Sequence, residues 1–354
     1  MSAIPVDACV THGRLLVCVG PGGVGKTTLA AALAVRAAVL GRSVLVLTID
    51  PARRLASALG IDRAGATGAH VPVPLEGLAA RGSLTAAMLE PRASYDALIR
   101  RIAREDQQKA ILDNRVYRAF SRTLARSHAY VAMEHLYDVL EGEGAPDLVV
   151  LDTPPLRSAL DVLDAPQALA RFAEQRSLGA LATGSIAGAG AYAAGKLVGL
   201  LGGKGLGEEL ATFLRAFLGM RSGFAQRARA IDHVLHHEAH FALVVAPDGS
   251  HLADARHLAA GIAERGLRIR HTLVNRAFTE DPLAPLEPLP EMPEAPPADP
   301  LLARAIARAR VVMEADAQRM ARTTDLPGER LRFPRSEREP LDVRALHALA
   351  CAGR

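Results

Sequence analysis

Tryptophan is absent from this chain, and aromatic residues make up only 4% of its 354 positions. Large rings therefore cannot fill the interior. Alanine and the branched aliphatics must do so, and a 49% hydrophobic content is enough for a sizeable core. Cysteine is equally scarce. Cys9, Cys18 and Cys351 form no CxxC pair, which excludes a disulfide framework and fits a reducing compartment. Cys18 lies in an apolar run, so burial is its expected role. The N-terminus carries Asp7 and lacks a basic start followed by an apolar core, so no secretory signal is read there and a cytoplasmic location is expected. Long runs of one charge sign are missing too. The net charge of +4 and pI of about 9.2 are spread along the chain, and nucleic acid is not an expected partner. Lysine is rare: four of the 42 basic residues, with Lys26 the sole one in the first hundred positions.

What is present is a regular alternation. Arg14-Leu-Leu-Val-Cys-Val19 is a short apolar run ending at glycine, the pattern of a strand buried on both faces. Thr28 to Leu40 is rich in Ala and Leu, contains no Pro or Gly and stops at Gly41, which predicts a helix. Ser43 to Ile49 is a second buried strand, so the three elements form a βαβ unit and imply a parallel sheet. Further strands are expected at Leu84–Leu89 (a weaker pattern), Asp147–Asp152, Phe241–Ala246, Ile269–Asn275 and Leu331–Phe333, where the sheet closes the chain. Helices are expected at His251–Arg265 and from Leu301 to about Thr323. The strands fall at both ends of the chain. We therefore read one domain over 1–354 with helical insertions at 93–142 and 165–236 and a Pro-rich surface loop at 281–300.

Gly20-Pro-Gly-Gly-Val-Gly-Lys-Thr-Thr28 satisfies G-x-x-x-x-G-K-[ST] and sits between a buried strand and a helix, the context this motif requires. Glycines let successive backbone N–H groups wrap phosphate oxygens, and the helix start aims its partial positive charge at the same oxygens. Lys26 supplies a compact cation for the β- and γ-phosphates and Thr27 a hydroxyl for Mg²⁺. The bland alternative is a glycine turn with an incidental lysine. The expected fold is thus α/β, a parallel P-loop NTPase sheet flanked by helices with an inserted helical subdomain. The expected ligand is Mg-ATP, held by Gly22, Gly23, Val24, Gly25, Lys26, Thr27 and Thr28.

Four segments together resemble the ArsA group of P-loop ATPases, which includes the arsenite-pump ATPases and those that target tail-anchored membrane proteins. The loop is similar to theirs. Thr48-Ile-Asp-Pro-Ala-Arg53 resembles their switch I, Val149-Val-Leu-Asp-Thr-Pro-Pro155 their switch II, and Leu273-Val-Asn-Arg276 the strand end whose Asn reads adenine. The likeness implies that Asp50 orients or deprotonates the attacking water, beside Lys26 and Asp152 as the catalytic set. It implies that Asp152 holds Mg²⁺ through water, together with Thr27, and that Asn275 and Arg276 meet the base. The competing structural readings are a helix cap for Asp50 and Asp152 and a turn residue for Asn275.

The chain also departs from that group. Its loops usually carry lysine at the second position, reaching across a dimer to the partner's nucleotide; here that position is Pro21. Binding should persist, while hydrolysis is slow, borrows Arg53 or Arg54, or relies on a related subunit that supplies the cation. A homodimer or a heterodimer with such a subunit is the expected assembly. The shared zinc cysteines are missing, as is any cysteine cluster for arsenite. His233, His236, His237 and His240 recur at helical spacing, readable as a metal cluster or, more simply, as a solvated helix-end patch. Ser177–Gly207 is packed with Gly and Ala and carries only Lys196 and Lys204 as charges. It is read as a loosely packed helix pair or as a lid meeting an apolar client, a membrane-protein partner or the inner face of the membrane.

Overall fold

The computed structural model describes residues 4–49, 54–61, 70–89, 105–115, 128–155, 157–174, 221–247, 249–277, 300–335 and 342–354, together with 96, 99, 100, 103 and 117. Strands β1 (Leu15–Val19), β2 (Ser43–Thr48), β3 (Val71–Pro72), β4 (Ser83–Met88), β5 (Leu148–Asp152), β6 (Ala239–Val245), β7 (Ile269–Ala277) and β8 (Glu329–Pro334) form one sheet in the order β3-β4-β2-β5-β1-β6-β7-β8. Every described pairing is parallel except β3 with β4, which is antiparallel.

The apolar runs form strands because both sheet faces are covered. Alternate residues point to opposite cores, as the two-residue repeat of a strand requires. Val17, Leu45, Val149 and Leu243 enter one core, whereas Leu16, Val46, Val150 and Val244 enter the other. The first core is closed by α4 (His128–Glu141), α5 (Arg157–Glu174), α6 (Arg221–His237) and α7 (Gly249–Glu264). The second is closed by α1 (Lys26–Val39) and α2 (Arg54–Leu59). Helices α3 (Glu105–Leu112) and α8 (Pro300–Ala321) lie between these elements in the chain.

Helix α1 begins two residues earlier than the sequence predicts and ends where Gly41 says it should. Gly41, at φ 110°, sends its N–H to Ala38 and is followed by an Arg42 N–H bond to Ala37, the paired bonds of a glycine-terminated helix. The alanines of α1 are fully buried because the helix is covered on both sides. Its outer cover is a helix not expected from sequence, α9 (Val343–Cys351), capped by the Asp342 side chain accepting from the Ala345 N–H at 2.8 Å. The chain therefore closes with α9 rather than with β8. Arg36, fully buried in α1, donates to both Asp7 oxygens at 2.7 and 2.9 Å and lies 3.5 Å from His347 of α9. Burial opposes the Asp7 charge, but Arg36 and the Ile4 N–H together hold its carboxyl below the usual carboxylate range.

The described parts of the two expected insertions are helical, with α5 starting upstream of 165. The Ser177–Gly207 segment and the Pro-rich loop up to residue 299 lie outside the described residues. Among the described residues no helix is long and apolar enough to cross a membrane. The sheet leaves the carboxyl ends of β1, β2, β5, β6 and β7 along one edge, the side on which open parallel sheets bind ligands.

Candidate functional site

The segment 20–25 joins β1 to α1 at that edge. Gly20 passes so close to β6 that an added Cβ would lie 2.2 Å from the Val244 carbonyl oxygen. Gly22 and Gly23 are exposed, and Gly22 faces Pro155 of the turn after β5, to which an added Cβ would come within 3.7 Å. Gly25 adopts φ 93° as the residue preceding α1 and has no side chain with which to cap the helix. The N–H groups of the first turn are thus offered to a ligand rather than spent internally. Val24 is fully buried, while Gly25, Thr27 and Thr28 are half-buried.

Lys26 is 8% exposed, and its Nζ folds back to donate to the Pro21 carbonyl at 2.8 Å. Pro21 itself is buried. Beneath the loop, Asp152 at the end of β5 is buried and its Oδ2 accepts two hydroxyls, Thr27 at 2.7 Å and Thr48 at 2.9 Å. Parallel pairing puts these groups together: Asp152 is in register with Cys18 of β1 and with Thr48 of β2. The Thr153 hydroxyl donates to the Cys18 carbonyl at 2.8 Å and anchors the turn that follows. Burial first, and then the neighbouring Asp152 charge, push the Cys18 thiol well above its usual range, so it stays protonated.

The structure brings together Lys26, Thr27 and Asp152 with the exposed face of the glycine loop. Thr48, on the same carboxylate, was not singled out from sequence. Its signal was a lone hydroxyl at the end of an apolar strand, one residue from the Ile49-Asp50 step. Asp50 and Arg53 lie outside the described residues. Asn275 reaches the site from β7, but its Nδ2 donates to the Val24 carbonyl at 2.9 Å and its Oδ1 accepts the Arg276 N–H at 2.9 Å. Arg276 is exposed and takes φ 60°.

The histidine run does not share one face. Helix α6 ends at His237, and His240 belongs to β6. His233 and His237 stack with centroids 4.3 Å apart, and His236 and His237 direct Nδ1 to the carbonyl oxygens four residues back. Among the described residues no three His, Cys, Asp or Glu side chains converge on a metal position. The hard oxygens of Thr27 and Asp152 fit magnesium, which prefers hydroxyl, carboxylate and water ligands.

Comparison with known proteins adds the missing level. The family model described as anion-transporting ATPase, the ArsA ATPases, matches residues 13–285. The chain belongs to this family. Among curated relatives, "Putative arsenical pump-driving ATPase 2" of Aquifex aeolicus is 24% identical over 269 residues, covering 74% of this chain and 80% of that protein. An uncharacterized protein of Streptomyces coelicolor is 35% identical over 162 residues, 45% of this chain and 38% of its own length. The arsenical pump-driving ATPase of Escherichia coli is 26% identical over 174 residues, 48% of this chain and 28% of its own length. The family match of this ArsA-type chain contains the glycine loop, Asp152 and Asn275, and it stops before α8, β8 and α9.

Proposed function

We propose that this ArsA-family chain binds Mg-ATP on residues 20–28 and hydrolyses it, using nucleotide state to move its helical regions. One observation carries the reading. A 14-residue helix opens on uncapped backbone N–H groups, with Lys26 on one side and the Thr27–Asp152 oxygen pair beneath. Lys26 already makes a bond to a neutral carbonyl. Exchanging Pro21 O for an anionic phosphate oxygen turns a bond between a cation and a neutral carbonyl into an ion pair, so the lysine is poised for transfer. Thr27 and Asp152 would hold magnesium, which when bound offsets the charge that develops on the phosphate oxygens. Asp50, one residue beyond the Ile49 N–H bond to the Asp152 carbonyl at 3.2 Å, is assigned to orient or deprotonate the attacking water. Thr48 ties the end of β2 to Asp152, so movement at one switch is felt at the other.

Pro21 supports a second reading, a slowly turning module completed by a related subunit. The loop's second position offers no cation, and Arg54, at the exposed start of α2, belongs to another element. On this reading the chain works as a homodimer or heterodimer in the cytoplasm, its Gly/Ala-rich segment meeting an apolar client or the inner membrane face.

Titration calorimetry with Mg-ATP tests the core claim. The wild type binds, and Lys26→Ala weakens binding by roughly tenfold to a hundredfold, the value of one charge-assisted bond. No binding by the wild type, or equal binding by Lys26→Ala, refutes it. Turnover separates the two readings: a strong gain in Pro21→Lys marks the missing cation, whereas equal, rapid turnover in both proteins shows that another group supplies it.

A further inference from the structure

We propose that His70 and His135 form a second ligand site, for a divalent metal ion of the zinc class, at the sheet edge opposite the glycine loop. The inference is independent of the nucleotide assignment. A cavity of about 420 Å³ opens there, beside Ser43 and Ser83, the first residues of β2 and β4. The segment that leads into β5 adds Glu143 to its wall, and α4 adds His135 and Asp138. The lining is therefore rich in hydroxyl, carboxylate and imidazole groups, and it has room for an ion together with its waters.

The two imidazoles reach this cavity from different elements. His135 is half-buried on α4, in the turn that carries Met133 and Leu136 into the core. His70 is exposed and immediately precedes β3, the antiparallel strand at the sheet margin. Their Nε2 atoms meet at 3.2 Å, with the rings edge-on at 81° and their centroids 5.2 Å apart. Two imidazole nitrogens held by one zinc ion at about 2.0–2.1 Å and a tetrahedral angle lie about 3.3 Å apart. The pair is thus preset for one ion. The ion takes the place of the Nε2 proton between the rings, and that proton moves to Nδ1 of the same ring, so both rings stay neutral. Imidazole suits zinc, copper and nickel, whereas magnesium prefers oxygen. Among the described residues no third His, Cys, Asp or Glu side chain converges on the position, so water completes the coordination and the site stays open. Asp138 and Glu143 add negative charge to the wall, with Arg227 offsetting that of Asp138 from 3.1 Å. The pair His233 and His237, in contrast, stacks ring on ring at 23° instead of aiming nitrogen at nitrogen. Once bound, the ion fastens the chain ahead of β3 to α4 and stiffens a margin that a two-residue strand leaves weak.

Calorimetry with zinc chloride tests the site, using the chelator-stripped full chain without nucleotide and with magnesium in excess to occupy oxygen sites. The wild type should bind zinc, and His70→Asn or His135→Asn should each weaken binding by more than about tenfold, since even lost outer-shell support costs about 10–100-fold. The double variant His233→Asn with His237→Asn should bind as the wild type does. Electron paramagnetic resonance of bound copper(II) adds a readout that a folding defect does not mimic: two imidazole nitrogens on the ion in the wild type, one in each single variant. A wild type that binds no zinc, or single variants that both keep full affinity, overturns the inference. Loss of binding in the His233 and His237 double variant alone assigns the ion to the helix end and overturns it equally.

Discussion

Lowering the pH should weaken this fold through one histidine at the sheet edge opposite the loop. His240 lies near the start of β6 beside β1, is 7% exposed, and its buried Nδ1 has no hydrogen-bond partner among the described residues. Burial above all, then the charges of Arg270, His271, His12 and Arg42, push its pKa from 6.5 down to about 4. Above pH 6.5 the imidazole is neutral in both folded and unfolded chains and costs nothing. Between 6.5 and about 4 the unfolded chain takes up a proton that the native state refuses, so stability falls as the pH falls. Linkage between about pH 7.5 and 5.0 makes this loss about 2 kcal/mol. His240→Leu keeps similar volume and removes both the titration and the unpaired nitrogen. In equilibrium urea unfolding at the two pH values, the wild type should therefore lose about 2 kcal/mol more than His240→Leu. Parallel losses in the two proteins would refute the reasoning.

The buried Arg36–Asp7 pair yields a second expectation. Arg36→Met strands a buried carboxylate and should cost about 3–5 kcal/mol, whereas the double variant with Asp7→Leu should recover most of that loss, as read by urea unfolding. The depressed Asp7 pKa means that the wild-type contribution is complete above the unfolded value of 3.8 and disappears as pH falls through the folded value. Thiol labelling gives a third. Cys9, its pKa pushed by burial to about 12, and Cys18, likewise raised by burial, should resist maleimide in the native protein while half-buried Cys351 reacts. Mass spectrometry of a partly labelled sample checks this, and early modification of Cys18 would contradict the assigned core.

The elements that were legible in the sequence are those whose signal is local. Seven of the eight strands were expected from the sequence, most of them as apolar runs bounded by Gly, Asp or Pro, because a strand covered on both faces has no polar side to interrupt it. The end of α1 was readable because Gly41 accepts a conformation other residues resist. The elements that escaped lacked such a signal. β3 is two residues long, contains Pro72 and pairs only at the sheet margin. α9 buries Val343, Leu346 and Ala350 at helical spacing, yet nine residues gain stability chiefly from the surface they pack on. The histidine run was readable as a helix-end patch, but spacing alone does not show that the helix stops at His237 and leaves His240 on β6.

By itself, the sequence determined that a glycine-bounded loop with a lysine and a threonine stands between a buried strand and a helix. Those features depend on backbone freedom, charge and turn chemistry within ten residues. Only the tertiary structure decided what that loop touches: Thr27 and Thr48 on one Asp152 oxygen, Asn275 on the Val24 carbonyl, and α9 over the alanines of α1. The physical reason is that a residue pattern records which way a side chain faces, while strand order and register record which distant face it meets. Here the hydrogen bonds that shape the site span 104, 125 and 251 residues, and no local pattern carries that distance.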